Sequence, residues 1–201
     1  MIEKIVLIVF GAVLGKIIDL YLAKRKLNNL ENVLIEELED IKARLQLITT
    51  SYERCIQIFA LGGISHDIPM KLSNPIFAKH YSDVAPKLAA SQRKSFALIN
   101  SYVDTVNHGI ETLIQNQPLT SENLQPDTLN TWGELLKGQH SNVATAYWHV
   151  NYHLSNKDHP FLDTEDISVH KAYINQLKSS EEHIQKLITD AKNNLSTTDF
   201  S

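Results

Sequence analysis

The sequence predicts an all-α protein: an N-terminal single-pass membrane helix that continues into an up-down antiparallel helical bundle of about four helices. Three observations predict it. Only seven Gly and six Pro interrupt 201 residues, and so few breakers suit long helices better than many short strands. Apolar residues recur at steps of three and four along most of the chain, the spacing of one helix face. No stretch alternates apolar and polar residues for long enough to require a sheet. The organisation read from this pattern is a membrane anchor with a basic flank over 1–26, a bundle domain over 27–195 and a flexible tail over 196–201.

The anchor comes first. Residues 5–15 read IVLIVFGAVLG without a charge, followed by Lys16, by IIDLYLA, and by Lys24, Arg25 and Lys26. A helix from Ile5 to Ala23 covers about 28 Å at ~1.5 Å per residue, close to the ~30 Å hydrocarbon core of a bilayer. Lys16 and Asp19 each cost roughly 2.5–3.5 kcal/mol at a bilayer centre. They lie in the last third of the span, where Lys16 can snorkel toward the headgroups, and their i,i+3 spacing allows a pair. Two other readings compete. The short charge-free run also suits a helix lying at the interface or packed in a soluble bundle. Val13-x-Gly15 also resembles a signal-peptide cleavage site, although Met1 to Lys4 make a weak n-region and the apolar pattern continues past it.

Topology follows from the flanks. Lys24, Arg25 and Lys26 outweigh the N-terminal side, where Glu3 opposes Lys4. The positive-inside rule then sets the C-terminal domain in the cytoplasm, with the helix crossing a bacterial inner membrane once. Gly11 and Gly15 form a G-x-x-x-G, which lets two membrane helices approach closely. With Lys16 and Asp19 near the same face, these four residues are the expected site of membrane-helix association. The expected partners are therefore the lipid bilayer, a second copy of the chain and an unknown protein partner.

Charge excludes one large class of partner. The chain has 19 basic and 23 acidic residues, a net −4. Residues 1–26 carry five basic and two acidic residues, so that segment holds +3 and residues 27–201 hold −7. A domain at −7 is a poor match for nucleic acid, whose affinity comes mostly from Lys and Arg on phosphates.

The soluble stripes follow in order. Leu27, Leu30, Leu34, Leu38, Ile41, Leu45, Ile48 and Tyr52 mark a long first helix that continues the anchor to about Leu61 and stops at Gly62-Gly63. Residues 64–81 are irregular, with Asn74-Pro75 announcing a short helix. Ser82 or Asp83 is the expected cap of the next, whose stripe runs Val84, Leu88, Phe96, Ile99, Val103, Val106, Ile110 and Leu113. A polar loop over 117–127 leads to Leu129, Trp132, Leu136, Val143, Tyr147, Val150 and Leu154. After a break at 155–160, Asp163 and Asp166 are expected to start a last helix striped by Ile167, His170, Ile174, Leu177, Glu181, Ile184, Ile188, Ala191 and Leu195. His170 reads as a satisfied core histidine. Glu36, Glu37, Glu39 and Asp40 read as a solvated acidic face, with Glu37→Ala expected to leave stability almost unchanged.

Motif chemistry is sparse. The chain has no G-x-x-x-x-G-K-[ST], no G-x-G-x-x-G and no H-E-x-x-H, and no Glu has a His three residues later. The single cysteine, Cys55, excludes an intramolecular disulfide and reads as a buried thiol. His149 and His153 stand i,i+4, a metal-ligand spacing, with Tyr147, Trp148 and Tyr152 around them. Two histidines at that spacing also arise on the flank of an apolar stripe, and the expectation is no bound metal, no cofactor and no catalytic residue. The function expected from these features is a non-enzymatic, membrane-anchored helical interaction or scaffold protein with a cytoplasmic bundle. The alternative is an oligomerising membrane effector or signal transducer acting through its charged transmembrane helix. A helical hydrolase or metal enzyme using His149 and His153 stands third.

Overall fold

The protein is described by a computed structural model that covers the backbone of residues 2–118, 126–161 and 167–195, with side chains described for these except 2–9 and 126. The described residues form five helices and no strand: α1 (Ile2–Ala60), α2 (Pro75–Val84), α3 (Ala90–Asn116), α4 (Pro126–Ser155) and α5 (Ile167–Asn194). The expected all-helical bundle is observed. The chain separates into two compact units, one of residues 1–37 and 75–88, the other of residues 38–74 and 89–201. Among the described residues no helix is long and apolar enough to cross a membrane. The apolar run behind the spanning reading begins at Ile5, and the side chains of residues 2–9 lie outside those described.

In the first unit, α2 runs back along the early part of α1. Ile76 meets Glu37 at the top, and the Lys87 ammonium reaches Glu31 at 3.1 Å and also Asn28 below it. Glu37 closes the start of α2. Its Oε1 accepts from the Ile76 N–H and its Oε2 from the Phe77 N–H, both at 2.7 Å. A helix start leaves its first N–H groups without helical partners, and it carries a partial positive charge. A carboxylate answers both needs. Glu37 is only 7% exposed, so the solvated-face reading fails for this residue, whereas Glu36, Glu39 and Asp40 are exposed as expected.

In the second unit, α1 ends on a Schellman motif. Gly62 takes φ +79°, its N–H bonds to Phe59 O at 2.9 Å and the Gly63 N–H bonds to Ile58 O at 2.9 Å. The left-handed residue is the one where a Cβ is costly, hence glycine. The chain then returns as an extended segment rather than a helix. Its backbone groups are satisfied by side chains of α3 and of the residue just past its end: Asn107 accepts from the Leu72 N–H at 2.7 Å and donates to Leu72 O at 3.1 Å, and Gln117 donates to Ser65 O at 2.8 Å. Such pairing is what allows irregular backbone to lie against a helix.

The remaining helices of this unit alternate in direction. Ser95 bonds His153 at 2.8 Å, Tyr102 stacks on His149, and Gly109 faces Gln139, so α3 and α4 are antiparallel. Gln46 meets Tyr147, Glu53 meets His140 and Phe59 packs on Gly133, which makes α1 and α4 antiparallel as well. Tyr173 lies against Trp148 while His183 faces His140, so α5 also opposes α4. The expected stripes of α1 from Leu34 and of α3 are buried throughout.

Three sequence expectations are corrected here. Ser82 and Asp83 lie inside α2, and the N-cap of α3 is instead Ala89, whose N–H donates to Gln92 Oε1 at 2.8 Å. His170 is exposed, as are Glu181 and Ile167, because α5 turns only a narrow face inward through Ser180, Ile184 and Ala191. His140 and Ala146 join the α4 core, where the sequence stripe had stepped over them. Asp163, Asp166 and the tail over 196–201 lie outside the described residues.

Candidate functional site

The residues singled out in the N-terminal helix are all accessible. Gly11, Gly15, Lys16 and Asp19 are exposed, as are Lys24, Arg25 and Lys26. An added Cβ at Gly11 or Gly15 would meet nothing within 4 Å, so this face is open. The large apolar side chains nearby are equally bare: Phe10, Val13, Leu14, Ile17, Ile18, Leu20, Tyr21 and Leu22 are 47–65% exposed. Consecutive positions such as Leu20, Tyr21 and Leu22 point to different sides of a helix, so the exposed apolar surface is broader than a single stripe, and it is interrupted on one side by Lys16 and Asp19.

His149 and His153 do not converge on an open site. Both are buried on the face of α4 that meets α3. The His149 ring stacks on Tyr102 with centroids 4.8 Å apart and lies 5.4 Å from the Tyr173 ring. The His153 Nδ1 is paired with Ser95 Oγ, and its ring meets Phe96 edge-on at 4.5 Å. Burial pulls the pKa of each down to about 4, so both are neutral rings at pH 7. No group of three or more His, Cys, Asp or Glu among the described residues is arranged to hold a metal ion.

A cleft that sequence reading missed lies in the second unit between α1, α4 and α5, with a volume of about 480 Å³. Three titratable groups meet there. The Glu53 carboxylate of α1 bonds His183 Nε2 of α5 at 2.8 Å, and His140 Nε2 of α4 stands 3.8 Å from the same oxygen. His140 is 2% exposed and neither ring nitrogen has a hydrogen-bond partner. Burial lowers its pKa, against the pull of Glu53 and with a smaller push from His183. Beside it, Ser180 Oγ is also buried without a partner.

No protein-family model, no curated protein and no solved structure matches this chain. The signal for the cleft was present as polar helical stripes. Gln46, Thr49, Thr50 and Glu53 step by three, one and three along α1, and Gln176, Ser179, Ser180 and His183 do the same along α5. His140 fills the step between Leu136 and Val143. What no local pattern contained was the meeting of Glu53 with His183 across 130 residues of sequence.

Proposed function

We propose that this chain is a non-enzymatic, membrane-anchored helical interaction protein: α1 enters the bilayer through its N-terminal part, and the bundle is presented to a cytoplasmic protein partner. The observation that carries the reading is the run of exposed large apolar side chains from Phe10 to Leu22, which spreads over more than one face of α1 among the described residues and is broken by Lys16 and Asp19. Burying a side chain of this size stabilises by roughly 1.5–3 kcal/mol, so a lipid environment would gain much from this segment. The described run covers only about 20 Å at ~1.5 Å per residue; a full span needs the apolar residues from Ile5 onward. Lys24, Arg25 and Lys26 immediately follow, where an anionic cytoplasmic leaflet attracts them.

Fractionation tests the reading. The full chain should pellet with membranes, resist carbonate, and carry a C-terminal tag that an external probe cannot reach in intact cells. Removal of residues 1–26 should release the rest into the soluble fraction. Recovery of the intact chain mainly from the cytosol would end the anchor reading.

The open Gly11 and Gly15 face favours a homo-oligomer, and with it the second reading, an effector that acts by oligomerising through a charged membrane helix. Two copies meeting there can pair Lys16 of one with Asp19 of the other, which offsets part of the cost of holding both in lipid. Cysteines placed singly along residues 8–22, in a chain lacking Cys55, should crosslink with a helical period that peaks on the glycine face. A flat pattern would leave a monomeric anchor.

A further inference from the structure

The cleft between α1, α4 and α5 is not explained by an anchor. It holds two buried polar groups without partners, His140 and Ser180 Oγ. A buried polar group without a partner is destabilising, a cost that an apolar side chain at either position would avoid. Its volume of about 480 Å³ falls in the ~300–1,000 Å³ range of small-molecule sites.

The chemistry of the walls selects among ligands. Among the described residues the cleft is lined by the Glu53 carboxylate and by neither Lys nor Arg, so its permanently charged group favours a cation over an anion. The α1 wall offers acceptors. Thr49 and Thr50 donate their hydroxyl protons to Leu45 O at 2.9 Å and Gln46 O at 3.2 Å, which leaves lone pairs for a ligand. Gln46 donates its Nε2 to the Tyr147 hydroxyl at 3.2 Å and keeps its amide oxygen. Glu53 engages His183 through Oε1, and burial disfavours the charged form of His140, whose neutral ring has one nitrogen able to accept.

We propose that this cleft binds a small organic cation, an amine or guanidinium compound, whose N–H groups donate to Glu53, to the Thr49 and Thr50 hydroxyl oxygens and to the Gln46 amide. Glu53 supplies the charge that fixes the cation, and His140 and Ser180 close the buried end. The α5 side, through Ser179 and Gln176, holds the rest of a ligand of this size.

Calorimetric titration of the full chain in detergent micelles tests this, with putrescine, spermidine and propylguanidine as probes and the matched butanediol, inorganic phosphate and zinc chloride as comparisons. At least one amine or guanidine should bind saturably, and Glu53→Gln should weaken it by about tenfold or more, since a hydrogen bond to a charged group contributes roughly 1.5–3 kcal/mol. Ala144→Leu, which fills the cleft without touching its charge, should weaken it as well, while Glu39→Gln on the exposed side of α1 should leave it unchanged. Circular dichroism and a thermal midpoint for each variant keep binding loss distinct from unfolding. Equal or tighter binding of the diol or of phosphate would overturn the assignment. So would zinc as the only ligand, no binding by any probe, or undiminished binding in folded Glu53→Gln.

Discussion

Glu37 illustrates how one side chain changes meaning with its surroundings. In sequence it belongs to a run of acidic residues on a long helix. In the fold it caps α2 with both carboxylate oxygens. A carboxylate at a helix N-terminus is worth about 0.3–1 kcal/mol through the dipole and more where partly buried, and a lost cap costs about 0.5–2 kcal/mol. Glu37→Ala should therefore destabilise the protein by about 1–2 kcal/mol. Hydrogen exchange should show the Ile76 and Phe77 amides losing protection first. Glu36→Ala, at an exposed neighbour, should change neither measure. Equal protection in the two variants would mean that the cap contributes nothing.

At the scale of elements, α3 and α5 differ sharply. Ile99 on α3 is 2% exposed, whereas Ile174 on α5 is half-buried. Ile99→Asp would bury an unpaired charge and should cost about 4 kcal/mol or more. Ile174→Asp keeps access to water and should cost about 1–2 kcal/mol. Urea titration of both variants measures the contrast. The α1–α4 contact gives a second prediction. An added Cβ at Gly133 would run into the Phe59 ring. Alanine improves helix propensity by about 1 kcal/mol, but overpacking costs about 1–3 kcal/mol. Gly133→Ala should be net destabilising, and Gly138→Ala, where an added Cβ meets nothing within 4 Å, should be net stabilising.

At the scale of the whole molecule, the neutral core histidines make stability depend on pH. His149 and His153 have pKa values lowered to about 4 by burial, against about 6.5 in the unfolded chain. Between those values the unfolded state binds the extra protons, so stability rises with pH. Their contribution is complete above about pH 6.5 and is lost as the pH falls toward 4, by roughly 3 kcal/mol for each residue. The urea midpoint should drop across this window. His149→Phe, which keeps a ring against Tyr102, should flatten the drop. A slope identical to that of the parent protein would show that His149 does not titrate with unfolding.

The sequence by itself determined the helical class, the stop at Gly62, the apolar seams of α1 and α3, and the helix start at Pro75. These are properties of residues within a few positions of one another: periodicity, the φ freedom of glycine, and the fixed φ of proline. The apolar N-terminal run is legible in the same way. The tertiary structure alone decided that Glu37 is a cap, that His140 is buried, that His170 is bare, and that Glu53 and His183 share a cleft. The pattern of α4 could show that position 140 falls on the inner face. It could not show which polar groups would stand opposite, because Glu53 and His183 arrive on helices far away in sequence. A hydrogen bond or a desolvated ring is a relation between two places in space, and local periodicity fixes only one of them.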